Sequence, residues 1–250
     1  MEPSRRFVAS PRGSFESLAG HEIAIPFEMI AAVLFDLYET LVTERDALPT
    51  RASSLGERLG LDGAAFRKAW KPQRSRVTRG EVSFAGALVE VGVQLGYALN
   101  ATIVRGLCDE RCRDKSALFE SFDPDALTVI RQLRDQGMKL AVVSNCFAED
   151  AQGWPRCAAA QWFDTAVFSF EVGAAKPEPR IYLEATQRLE VDPSEAVFVG
   201  DGGDDELLGA KRAGLRSAQA AWFRGERADL PAPIPRLSSW HALLELVAAG

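Results

Sequence analysis

Residues Ile30 to Leu41 read IAAVLFDLYETL: six apolar positions in an unbroken run, then Asp36, Leu37, Tyr38, Glu39 and Thr40. An apolar run without alternation is the mark of a strand covered on both faces, as in a parallel sheet. Comparable runs recur at Leu140–Val143, Ala166–Phe168 and Ala196–Val199, with a weaker one from Ser217 to Trp222. Helical patterns separate them, over Pro124–Gln136, Pro179–Leu189 and Asp205–Ala213. Asp123 is suited to cap the first of these, with Pro124 in its opening turn and Gly137 as its stop; Gly214 ends the third. Strands alternating with helices through short connections predict an α/β fold, a doubly wound, Rossmann-like parallel sheet. A final amphipathic helix is expected over Leu237–Ala249, after a loop bearing Pro231, Pro233 and Pro235.

Between the first two strands lie about eighty residues, too many for a simple crossover. Their pattern is helical, around Arg51–Leu59, Gly63–Arg76, Phe84–Gly96 and Ala101–Leu118. Leu88, Val91 and Leu95 recur at three- and four-residue steps and form one buried stripe. The expected organisation is an α/β core from residues 29–45 and 120–250, with a small helical cap at residues 46–119. Residues 1–28 are weakly periodic and lack a compact apolar segment followed by a cleavage site, so they read as an N-terminal extension rather than a signal peptide. Met29 then stands as a candidate ancestral start.

Composition narrows the chemistry. A net charge of -6 gives no electrostatic footprint for nucleic acid. No apolar run approaches the ~20 residues needed to span a bilayer. The four cysteines make no disulfide framework, and Cys108 and Cys112 have no zinc-site partners around them, so free thiols in a reducing cytoplasm are expected. His21 and His241, the only histidines, sit near the two ends outside any active-site context. Carboxylates and lysine must therefore carry the chemistry.

In open parallel sheets ligands bind beyond the carboxyl ends of the strands. There the first run delivers Asp36 and the second Ser144 and Asn145. The loop after the third carries Lys176, and the fourth delivers Gly200-Asp201-Gly202-Gly203-Asp204-Asp205-Glu206. A carboxylate, a hydroxyl, a lysine and an acidic cluster thus converge on one edge. Taken singly, each has an ordinary reading as a cap, a turn or a solvated loop. Together they suit phosphoryl transfer, which asks for charge neutralisation and in-line positioning. A carboxylate nucleophile beside a phosphate dianion needs a lysine and a hard cation to offset like-charge repulsion.

These segments, in this order, resemble the four motifs of the haloacid dehalogenase superfamily, over about Met29 to Phe223. The insert stands where that family carries its helical cap. The resemblance implies Asp36 as nucleophile, Ser144 as the hydroxyl holding a phosphoryl oxygen with Asn145 beside it, and Lys176 as the neutralising cation. It implies a Mg2+ site from Asp36, the backbone carbonyl of Tyr38 and Asp201, with Asp205 favoured over Glu206 as the second acidic member. Ser144, Asn145, Lys176 and Tyr38 are the implied substrate-binding residues.

One position departs from the phosphatases of that family. They carry a second aspartate, the general acid/base, two residues after the nucleophile; here Tyr38 stands there, as in the true dehalogenases, which need no metal. Gly200-Asp201 and its acidic neighbours argue for a cation instead of the Ser-Asn pair usual in dehalogenases. The expected activity is therefore a Mg2+-dependent phosphatase acting on a small phosphorylated substrate through an aspartyl-phosphate. The alternatives are a metal-free 2-haloacid dehalogenase and a non-catalytic phosphate binder. Glu39 and Glu44 are candidate proton sources in place of the missing aspartate, unless the leaving group needs none. In the insert, Lys71, Arg74, Arg76 and Arg79 form either a clasp for an anionic substrate or a solvated helix face, and Trp70 reads as core. No nucleic-acid or membrane partner is expected, and the chain is read as a monomer or homodimer.

Overall fold

The computed structural model describes residues 29–44, 55–120, 122–230 and 233–249. The run after Ile30 forms β1 (Ala32–Phe35), buried along its whole length. The insert supplies α1 (Leu55–Arg58), α2 (Gly63–Thr78), α3 (Phe84–Gln94) and α4 (Ala101–Ala117). The chain continues through α5 (Pro124–Asp135), β2 (Lys139–Ser144), α6 (Ala148–Ala151), β3 (Thr165–Phe168), α7 (Ser169–Val172) and α8 (Pro179–Leu189). It ends with β4 (Ala196–Gly200), α9 (Glu206–Arg212), β5 (Arg216–Ala220), β6 (Arg236–Leu237) and α10 (Trp240–Ala248).

The six strands pair in parallel in the order β3-β2-β1-β4-β5-β6. From β1 the chain builds outward on one side through β2 and β3, then crosses to the other through β4. The connections thus diverge around β1, which is where such sheets open a crevice for ligands. Phe35 lies opposite Val199, so Asp36 and the end of β4 emerge side by side, and Asp36 N–H donates to Val199 O at 2.9 Å.

Alternation along β1 sends Val33 and Phe35 to one face and Ala32 and Leu34 to the other. The first pair packs with Val129, Ile130 and Leu133 of α5 and with Trp240 and Leu243 of α10. The second packs with Ile181, Tyr182 and Ala185 of α8 and with Leu207 and Ala210 of α9. Both faces are covered, which explains the continuous apolar runs and matches the doubly wound expectation. Phe66, Phe84, Leu88, Val91 and Leu107 of the insert form a third cluster, joined by Phe147 from the loop after β2. Trp70 belongs to it, stacked on Phe66 with ring centroids 5.8 Å apart.

Some boundaries differ from the sequence reading. Residues 1–28 with His21, the chain around residues 46–54 including the expected helix start at Arg51, and Pro231 lie outside the described residues. Strand β6 was not expected; two residues are too few to show a period. The final helix begins at Trp240 rather than Leu237, because Ser239 caps it by accepting from Ala242 N–H at 3.3 Å. Leu133, fully buried in α5, tests the packing of that layer. Leu133→Ala is expected to cost about 2–5 kcal/mol, read as a lowered urea midpoint at unchanged slope. A loss below about 1 kcal/mol would mean that α5 is not packed as described.

Candidate active site

Asp36, Lys176, Asp201 and Glu206 are buried together at the carboxyl end of β1 and β4. The Lys176 ammonium forms an ion pair with Asp36 Oδ1 and lies 2.6 Å from Glu206 Oε2. Thr40 Oγ1 donates to Asp36 Oδ2 at 3.2 Å. Carboxylate oxygens of Asp36, Asp201 and Glu206 all lie within 4.8 Å of one another. Burial pushes the Asp36 and Glu206 carboxyls up, with Lys176 pulling both back down. Burial works against the Lys176 charge, but the two carboxylates outweigh it and hold the ammonium protonated.

Asp205, expected as the second acidic member beside Asp201, is exposed; Glu206 takes that place. The backbone decides this. Gly202, Asp204 and Asp205 all have positive φ, at 89°, 49° and 55°, and this tight turn throws both aspartates outward before α9 starts. Glu206, the first residue of α9, points back into the site, where Oε1 accepts from Gly202 N–H at 3.0 Å. A side chain at Gly200 would collide with that same oxygen.

Ser144 Oγ is buried and, among the described residues, makes no hydrogen bond of ordinary geometry, which leaves it available to a ligand acceptor. Asn145 is differently employed from what was expected of a substrate contact. Its Oδ1 accepts from Lys176 N–H at 2.7 Å and its Nδ2 donates to Lys176 O at 2.8 Å. This reciprocal pair ties the lysine loop to the end of β2, so Asn145 positions Lys176.

The Tyr38 ring leans away into the apolar core, and its hydroxyl donates to the Asp150 carbonyl at 2.9 Å. Burial raises the phenol well above its usual range, and its proton is already committed to that carbonyl. The substitute candidates are also engaged. Glu39 accepts from Thr43 Oγ1 at 3.0 Å and pairs with Arg224, and Glu44 pairs with Lys115 of α4. The basic residues of α2, and Arg79 that caps it, lie at the surface or in ion pairs. Lys71 and Arg74 are exposed, Arg76 pairs with Glu90 at 2.5 Å, and Arg79 pairs with Glu178 beside the lysine loop.

Arg224 was missed in the sequence because nothing local marks it. The turn after β5 brings its Nη1 to 3.0 Å from Asp201 Oδ2 and its Nε to 3.2 Å from Glu39 Oε2.

Residues 30–214 match the family described as haloacid dehalogenase-like hydrolase. The chain belongs to that family. Among its relatives, a phosphoserine phosphatase of Thermus thermophilus is 30% identical over 74% of this chain and 68% of its own length. A glyceraldehyde 3-phosphate phosphatase of Methanopyrus kandleri is 39% identical over 43% of this chain, a match spanning less than half, 46%, of that relative. A 2-haloacid dehalogenase structure from Pseudomonas syringae pv. Tomato DC3000 superimposes with a TM-score of 0.63 at 24% identity, covering 88% of this chain and 99% of its own; it establishes the shared fold. Within this haloacid dehalogenase-like hydrolase, Gly200 has a role that stability measurements can isolate. Gly200→Ala drives a methyl group into Glu206 and is expected to cost about 1–3 kcal/mol in urea unfolding; an unchanged midpoint would place Glu206 elsewhere.

Proposed function

We propose that the protein is a magnesium-dependent phosphatase acting on a small phosphorylated metabolite, with Asp36 as nucleophile. The observation that carries this reading is the buried constellation itself. Among the described residues, Asp36, Glu39, Asp201 and Glu206 form ion pairs with Lys176 and Arg224, two cations against four carboxylates, so the site has room for a divalent charge. All its donors are hard oxygens, which suits Mg2+. The phosphatase names of the two relatives above support the same class.

Asp36 and Asp201, with the backbone carbonyl of Tyr38, would hold the ion, and Glu206 secures Lys176 and the Gly202 turn. Mg2+ would supply charge neutralisation of the phosphoryl group and the nucleophile. An Asp36 oxygen attacks phosphorus, the bond from phosphorus to the leaving oxygen breaks, and an aspartyl-phosphate forms. Lys176 neutralises the charge gathered on Asp36 and the phosphoryl oxygens, and Ser144 Oγ donates to one of those oxygens. Water then attacks phosphorus and releases phosphate, restoring the carboxylate. With the Tyr38 hydroxyl engaged on Asp150, the leaving group takes its proton from water, which favours substrates with acidic leaving groups such as acyl or aryl phosphates.

The insert, residues 46–119, is proposed as a cap over this site, and its separate apolar cluster supports that division. No helix among the described residues is long and apolar enough to cross a membrane. The four free thiols suit a reducing cytoplasm.

Tyr38 favours a second reading, metal-free dehalogenation, in which Asp36 attacks a carbon bearing halide. One assay separates the two: phosphate release from an aryl phosphate with Mg2+ or chelator, beside halide release from a 2-haloacid. Chelator-sensitive phosphate release is expected, and halide release that survives chelation would reverse the assignment. Asp36→Asn is expected to lower turnover at least about 10³-fold, and retained hydrolysis would remove Asp36 as nucleophile.

A further inference from the structure

Arg224 is mounted with unusual care for a half-exposed side chain. Trp222, two residues before it, donates from Nε1 to the Thr40 carbonyl at 2.9 Å and stacks on Trp240 with ring centroids 4.1 Å apart. Gln219 donates to the carbonyls of Asp201 and Gly225 at 3.3 and 3.2 Å, and its own oxygen accepts from Arg227 N–H at 3.2 Å. Arg227 Nη1 in turn donates to the Gly202 carbonyl at 2.7 Å. The turn after β5 is therefore laced to the loop after β1 and to the loop after β4. It delivers one guanidinium between Glu39 and Asp201.

That guanidinium shares a carboxylate with the proposed cation. Asp201 Oδ1 accepts from Gly203 N–H at 3.0 Å, while Oδ2 faces Arg224 Nη1. Lys176 does not share this role, because it serves Asp36 and Glu206. A divalent ion held by Asp201 would share that carboxylate with a positive charge, and the two would repel and compete for its electron density.

We infer that Arg224 is an affinity-setting residue: a built-in cation on Asp201 that weakens divalent-ion binding while bridging the two acidic loops. The inference rests on the magnesium reading of the site. It makes Arg224 a positioning residue acting through Asp201. Its chemical effect is to keep the ion exchangeable and to limit the negative charge that an incoming phosphate must face.

The test is titration calorimetry of Mg2+ into the full chain, the Arg224→Gln and Arg224→Lys variants, and Asp201→Asn, with thermal unfolding run beside each to establish that it is folded. Arg224→Gln is expected to bind Mg2+ about tenfold more tightly, from the loss of one charge near a dication. Arg224→Lys keeps the charge and is expected to stay within about threefold of the unaltered protein. Equal or weaker binding by Arg224→Gln overturns the inference, since Arg224 would then only orient Asp201. Tightening of the same size in Arg224→Lys also overturns it, because charge would not be the cause. Failure of the unaltered protein to bind Mg2+, or binding that Asp201→Asn leaves intact, overturns the magnesium reading itself and this inference with it.

Discussion

The site depends on one ammonium group kept almost dry. Lys176 is buried at the carboxyl edge of the sheet, and a charge taken out of water there is tolerable only if carboxylates meet it at close range. Asp36 does so from the end of β1 and Glu206 from the first residue of α9, and several otherwise unrelated features serve that geometry. Asn145 clamps the lysine's own backbone on both its N–H and its C=O. Gly209 lets α9 approach the following residue closely, for a methyl group there would stand 2.6 Å from the Pro177 carbonyl oxygen. Gly200 makes room for Glu206. The arrangement of α9 against the lysine loop is thus the packing counterpart of an electrostatic demand.

How much of this was legible in the sequence follows from the range of the forces involved. The sheet was readable because a strand covered on both faces must be apolar throughout, and that requirement leaves an unbroken run such as Ile30–Phe35. That Asp36, Lys176 and Asp201 gather at one edge was readable because each sits directly at the end of such a run or in the loop that follows one. Glu206 was weighed against Asp205 and lost, because the choice turns on left-handed backbone at Asp204 and Asp205, which residue type alone does not dictate. The work of Asn145 was hidden, since its partner is the main chain of a residue thirty-one positions away. Arg224 was invisible for the same reason, its partners being supplied by loops remote in sequence.

Tyr38 shows how a departure in sequence is absorbed in space. Its ring packs with the core, the Lys115 ammonium lies 4.0 Å from the ring centroid, and its hydroxyl is fixed on the Asp150 carbonyl. The Asp150 carboxylate meets Arg111 of α4, with Oδ1 2.6 Å from Arg111 Nε. The position that carries an acid in related phosphatases here ties the loop after β1 to the helical insert.

The Arg79–Glu178 pair gives the insert a second hold, on the loop that carries the lysine. Glu178 stands two residues beyond Lys176, so a movement of α2 that parts this pair also tugs on the backbone that Asn145 clamps. An insert that moves as the proposed cap would then do two things in one motion, admitting solvent and loosening the buried cation. The local dielectric, and with it the strength of every charge interaction inside, would become a mechanical variable set by where the helices rest.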